Sequence, residues 1–121
     1  MSNLSITILF TALSTGMLIY LSLLVIEARR KNQVSLGFGK KDEMERIIRM
    51  HGNFVEYTPF ALIQCALIEM HDGSAWLLVP LMLVFMASRV SHALGLQRNN
   101  MQWRVWGMRG TFGVLVVQAV L

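Results

Sequence analysis

From residue 4 to residue 26 the chain carries no charged side chain, an uninterrupted run of 23 residues. As an α-helix that run extends about 35 Å, and a hydrocarbon core is about 30 Å thick, so it crosses with some tilt. A cleaved secretion signal would need a basic start and a shorter apolar stretch, and this segment has neither. The run therefore predicts a retained transmembrane helix. Composition agrees: 55% of the 121 residues are hydrophobic, 15% are charged and the mean hydropathy is +0.52, where soluble domains average about 25% charged. Such a chain is not disordered, because disorder needs low hydrophobicity. A lone Cys65 excludes an internal disulfide framework and a cysteine metal cluster. The length suits one domain, residues 1–121.

Three further apolar stretches follow. The second is interrupted by Glu56 and adjusted near Pro59, and the third carries Pro80 in its first turns; transmembrane helices tolerate proline when neighbours satisfy the freed carbonyl. His71-Asp72-Gly73-Ser74 and Gln97-Arg98-Asn99-Asn100 read as short turns. The pattern predicts helices over about residues 3–29, 42–70, 75–96 and 101–121. Together they make an all-α, four-transmembrane-helix, up-down bundle.

Orientation follows from Lys and Arg alone. The first connection carries Arg29, Arg30, Lys31, Lys40, Lys41, Arg46 and Arg49, and the third carries Arg98 with Arg104 just beyond. None occurs between Met50 and Ser88. Both termini and the 71–74 turn are expected outside, with the two basic connections cytoplasmic. The high isoelectric point is thus a topology signal beside an anionic leaflet, and no nucleic-acid partner is expected, since no recognition module accompanies it.

A charge at membrane depth is costly and usually faces a partner or a wet cavity. Glu56, Arg89, Arg104 and Arg109 qualify. Glu56 lies 14 residues before Met70 and Arg89 lies 14 after Ala75, so each sits about 21 Å from the same hairpin, and antiparallel neighbours bring them to one level. On a helical wheel from Arg49, Asn53 falls at about 40°, Glu56 at about −20°, Tyr57 at about 80° and Arg46 at about 60°. One reading is a buried polar network that fixes helix register. Four residues on one stripe, facing an arginine from each of two other helices, favour a polar cavity. Guanidinium groups match carboxylates bidentately, Glu56 suits an ammonium, and Asn53 both donates and accepts. The ligand so described is a small zwitterion with more than one carboxylate. Glutathione suits it, as do other acidic peptides or phosphate-bearing ligands.

These residues also resemble a known family. The run from Glu45 to Tyr57 (ERIIRMHGNFVEY), followed by Thr58-Pro59-Phe60, is similar to the signature of the MAPEG family, the membrane-associated proteins of eicosanoid and glutathione metabolism. Ser88-Arg89-Val90-Ser91-His92-Ala93-Leu94-Gly95 resembles its third-helix motif, and Gln102-Trp103-Arg104-Val105-Trp106-Gly107 the start of its fourth helix. With the Ala28-Arg29-Arg30 exit from the first helix, the similarity covers essentially the whole chain and looks like that of a bacterial-type member. The resemblance implies a homotrimer that binds glutathione between subunits near the cytoplasmic side. Its contacts would be Arg49, Asn53, Glu56 and Tyr57 from the second helix and Arg89 and His92 from the third, with Arg29 or Arg30 reaching in from the first. Arg104 matches the arginine credited with stabilising the glutathione thiolate, with Arg109 a rival.

The implied activity is glutathione transfer to a lipophilic electrophile, or reduction of a lipid hydroperoxide, supplied from the bilayer. A free thiol titrates near pH ~8.5, and lowering that value by about two pH units corresponds to about 2.7 kcal/mol. An adjacent arginine in a desolvated site provides such stabilisation and stays charged. Glutathione is expected as co-substrate, with no metal and no haem. By the same resemblance, Leu96 occupies the place where characterised eukaryotic relatives often have a tyrosine contacting glutathione, and Met108 sits near another. His51, at about 200° on the wheel, points away from the stripe and reads as packing. Gly107, Gly110 and Gly113, spaced every third residue, suit a close subunit contact. Two other readings compete. A small drug/proton antiporter would use Glu56 as its titrating carboxylate, although the surrounding arginines repel cationic drugs. A haem protein would use His51 and His92 as axial ligands and show a Soret band.

Overall fold

The computed structural model describes residues 4–37, 39, 42–71 and 73–121; Lys40, Lys41 and Asp72 of the expected connections lie outside the described residues. Four helices follow one another: α1 (Ser5–Asn32), α2 (Asp42–Met70), α3 (Ala75–Gln97) and α4 (Met101–Val120). The expected boundaries hold to within three residues. α1 runs furthest past its expected end because Asn32 Nδ2 donates to the Ala28 carbonyl (2.8 Å) and fastens the last turn. Gln33 then adopts a left-handed conformation (φ 57°) and stops the helix.

The turns are built by local chemistry. After α2, Gly73 N donates to the Ile68 carbonyl at 2.9 Å, and a Cβ on Gly73 would collide with the Ile68 side chain. After α3, Asn100 N donates to the Gly95 carbonyl (2.7 Å) across Asn99, which takes a left-handed φ of 54°, a conformation asparagine tolerates well. Asn100 then caps α4, its Oδ1 accepting from Trp103 N at 3.3 Å. α2 and α3 run unbroken through Pro59 and Pro80.

Packing is uneven along the chain. α3 and α4 form the tightest pair, α1 lies along α2, and the backbones of α1 and α4 do not approach each other among the described residues. Two apolar clusters stack along the bundle. Phe10, Ala61, Cys65, Leu78, Met82, Phe85 and Val114 form one; Leu21, Met50, Phe54, Ala93 and Leu96 form the other. The buried Arg89 and Thr58 fall between them in sequence along α3 and α2. The α3–α4 contact depends on missing side chains: a Cβ on Gly107 would lie 2.6 Å from His92 N and 2.7 Å from the Ser88 carbonyl, and one on Gly110 would overlap the Ser88 hydroxyl. This corrects the expectation that the glycine repeat makes a subunit contact. Gly107 and Gly110 seat α4 on α3 of the same chain, and only Gly113 of the three faces open space.

A buried carboxylate fastens the other pair. Glu69, at the end of α2, accepts from Ile6 N (2.8 Å), Thr7 N (2.9 Å) and Thr7 Oγ1 (2.9 Å). Amides in the first turn of a helix have no partner within it, and the helix dipole favours an anion there. His51 packs as expected, at 3.0 Å from Ser22 of α1. Outside, large apolar side chains stand exposed on all four helices, among them Ile8, Leu23, Ile63, Leu83 and Val116, more than a water-soluble surface ordinarily shows. α1 and α3 are each long and apolar enough to cross a membrane.

Candidate functional site

On the helical wheel, Asp42, Glu45, Arg46, Arg49 and Asn53 share one face of α2, because steps of three and four residues return to the same side of a helix. In the structure that face becomes one wall of a cavity of about 530 Å³, within the range of small-molecule sites. His92 and Leu96 of α3 and Arg104 and Met108 of α4 form the rest, with Asn99 at the turn between them. Two glycines make the approach possible. Gly107 lets α4 close on His92, and a Cβ on Gly95 would lie 2.6 Å from Arg104 N and 2.7 Å from its Cγ. Arg104 therefore rests directly against the backbone of α3.

The cavity holds three guanidinium groups and two carboxylates. Arg46 is anchored, its Nε donating to the Leu96 carbonyl at 3.1 Å. Arg49 Nη2 pairs with Glu56 Oε1 at 3.1 Å, both side chains about half exposed. Such a pair contributes about 0–1 kcal/mol, so it orients Arg49 more than it stabilises the fold. Asn53 is held from behind: the buried Arg89 donates through Nη1 to Asn53 Oδ1 and, at 3.2 Å, to its main-chain carbonyl. With one lone pair of Oδ1 engaged, Asn53 can still donate to a ligand through its amide nitrogen. Arg89 also donates from Nη2 to Met108 Sδ (3.4 Å) and lies 5.6 Å from the centre of the Tyr57 ring. That ring meets Phe112 edge-on at 5.5 Å.

Of the residues singled out from sequence, Arg49, Asn53, His92 and Arg104 line the cavity together. Arg89, Tyr57 and Glu56 stand behind or beside it. Glu56 and Arg89, expected at one level, are not partners: Arg89 bonds Asn53, three residues before Glu56 on α2, and Glu56 pairs with Arg49. Glu56 is half exposed and takes its ion pair from its own helix. Arg29 and Arg30 lie off this cavity: Arg29 Nη1 donates to the Val34 (3.4 Å) and Gly37 (3.0 Å) carbonyls, and Arg30 is exposed. Arg109 is exposed, 5.3 Å from the Trp106 ring. Sequence reasoning missed Asp42 and Glu45, whose signal was present, since extending the Arg49 stripe back two turns places both on it. It also missed Asn99, which only the turn geometry reveals.

The sequence profile of the MAPEG family matches residues 7–121, a span that takes in every residue of this cavity. The chain belongs to the MAPEG family. Among its relatives is the inner membrane protein YecN of Escherichia coli K12, 30% identical over 115 residues, which are 95% of this chain and 88% of that protein. YecN of E. coli O6:H1 matches to the same extent. The chain is accordingly a membrane protein of the MAPEG family. Leu96 and Met108 both fall on the cavity wall.

Proposed function

We propose that this MAPEG protein is a glutathione transferase, and toward hydroperoxides a glutathione-dependent peroxidase, working as a homotrimer of four-span protomers. One observation carries the reading: Arg49, Asn53, His92 and Arg104, from three helices, meet in one cavity that also holds Asp42 and Glu45. A set of three arginines and two carboxylates matches a tripeptide with two carboxylates and one ammonium. Arg46 and Arg49 would take the carboxylates, Asp42 or Glu45 the ammonium, and the Asn53 amide a peptide carbonyl. Arg104 would hold the sulfur as thiolate, which attacks an electrophilic carbon while the leaving group departs with the bonding pair. Arg29 or Arg30 would complete the site from a neighbouring subunit, and the electrophile would enter from the bilayer. Both termini would face outside, with the first and third connections cytoplasmic. The Arg49–Glu56 ion pair weighs against a drug/proton carrier, which needs that carboxylate free to exchange protons with its cargo.

The test is spectroscopic. Glutathione added to the purified protein in detergent should raise a thiolate absorbance near the ultraviolet edge. Arg104→Ala should abolish it, and Arg109→Ala should leave it intact. Turnover of a chloronitrobenzene should fall in parallel with the thiolate signal. No glutathione binding at millimolar concentration, by calorimetry, would end the enzyme reading.

A further inference from the structure

The end of α1, the start of α2 and the last turn of α3 line a smaller cavity of about 200 Å³, which meets the polar cavity along Arg46 and Leu96. Two helical stripes supply its walls. Leu24, Glu27 and Lys31 recur on one face of α1, and Glu43, Arg46 and Ile47 on one face of α2. Lys31 and Glu43 each stand one residue from their helix end, and Glu27 and Arg46 lie about one turn further in. The cavity thus carries two carboxylates and two cations, and no ion pair joins any of the four among the described residues. Glu27, Lys31 and Glu43 are exposed, so a ligand can reach them. Arg46 commits its Nε to the Leu96 carbonyl at 3.1 Å, and its two Nη groups have no protein partner among the described residues. Arg29 and Arg30 lie outside this cavity.

Its place along the helix says what it meets. The uncharged run of α1 ends at Ile26, one residue before Glu27, so in a membrane protein this cavity lies where hydrocarbon gives way to headgroups. Beside it, Leu23 and Ile26 are both more than half exposed and continue the apolar surface of α1. We propose that the cavity binds the headgroup of phosphatidylethanolamine, its ammonium donating to Glu27 and Glu43, its phosphate accepting from Lys31 with Arg46 alongside, and its acyl chains lying against Leu23 and Ile26. Both signs of charge within one small head answer both signs within one small cavity. A purely anionic lipid offers the two carboxylates no cation, and a choline head has no N–H for a charge-assisted hydrogen bond. An inorganic cation fits less well, because Lys31 and Arg46 repel it. The site is independent of the glutathione reading, and the variants below leave Arg46 untouched.

Short-chain lipids supply the test. Calorimetry of the purified protein in a maltoside detergent should show saturable binding of dioctanoyl phosphatidylethanolamine. The dioctanoyl forms of phosphatidylcholine and phosphatidylglycerol should bind roughly tenfold more weakly, the effect of losing one hydrogen bond to a charged group. Glycerophosphoethanolamine, which has the head and no chains, should also fall about tenfold below the lipid, since it buries no apolar surface. Glu27→Gln/Glu43→Gln should reverse the order, so that phosphatidylglycerol binds more tightly than phosphatidylethanolamine. Lys31→Gln should weaken both. If the double variant does not fold, Glu43→Gln alone decides, and it should erase the preference for ethanolamine. Equal binding of the three lipids, or an order that survives in the glutamine variants, would overturn the proposal. Glycerophosphoethanolamine binding as tightly as the lipid would overturn it too, leaving a soluble zwitterion as the occupant.

Discussion

Arg104 and Arg109 stand five residues apart on one helix, far enough round it to face different surroundings. Arg104 lines the polar cavity with its backbone pressed against Gly95, whereas Arg109 rests over Trp106 on the exposed side. Sequence left the two as rivals because both lie within the span; the close approach of α3 separates them. Arg89 poses a different problem, a guanidinium almost wholly buried with no carboxylate against it among the described residues. Its charge is met by the Asn53 amide and carbonyl, the Met108 sulfur and the Tyr57 ring, while its Nε has no partner. Asn53→Ala should therefore cost about 1.5–3 kcal/mol, as expected for a hydrogen bond to a buried charge. Adding Arg89→Met should return much of that loss, because a buried charge and its unmet partners disappear together. Unfolding in detergent across the four proteins of this double-mutant cycle measures the coupling.

The elements themselves were legible in the sequence. Charge-free and weakly charged runs fixed four helices, and Gly73 and Asn99 marked the turns where a collision-free or left-handed residue is needed. The stripe through Arg49 and Asn53 was legible for the same reason, since it follows from helical periodicity alone. Contacts between elements were not. Periodicity does not say that Gly107 and Gly110 face α3 rather than another subunit, nor that Glu69 reaches back 63 residues to the start of α1. Each has a measurable consequence. Gly107→Ala must push α4 from the backbone of His92, so it should destabilise by about 1–3 kcal/mol and weaken glutathione binding in the same variant, as calorimetry would record. Glu69→Ala strips the partners from two first-turn amides, an effect comparable to losing a helix cap, about 0.5–2 kcal/mol. Hydrogen exchange at Ile6 and Thr7 should accelerate while the α3–α4 amides keep their protection. Equal acceleration throughout would show that Glu69 supports the whole bundle rather than one helix end.

At the scale of the whole molecule, large apolar side chains are exposed on every helix, the backbones of α1 and α4 do not approach each other among the described residues, and the two arginines at the end of α1 stand away from the cavity of their own chain. A cyclic trimer would bring the α1 end of one protomer to the cavity of the next, a heterologous contact that closes on itself. Subunit mixing tests this directly. Arg104→Ala and Arg30→Ala, each first found inactive alone, are co-expressed in equal amounts and purified as mixed assemblies. If a site takes Arg104 from one protomer and Arg30 from its neighbour, each interface is intact only when the first is the Arg30 variant and the second the Arg104 variant. That arises at random for about a quarter of the interfaces of a cyclic assembly, so activity should return to about a quarter of the parent's. Sites confined to one protomer would show no recovery, since each chain then carries one lesion whichever neighbour it meets. Native mass spectrometry of the same samples counts the subunits, and a species other than three would overturn the trimer while leaving the shared-site result to stand or fall by itself.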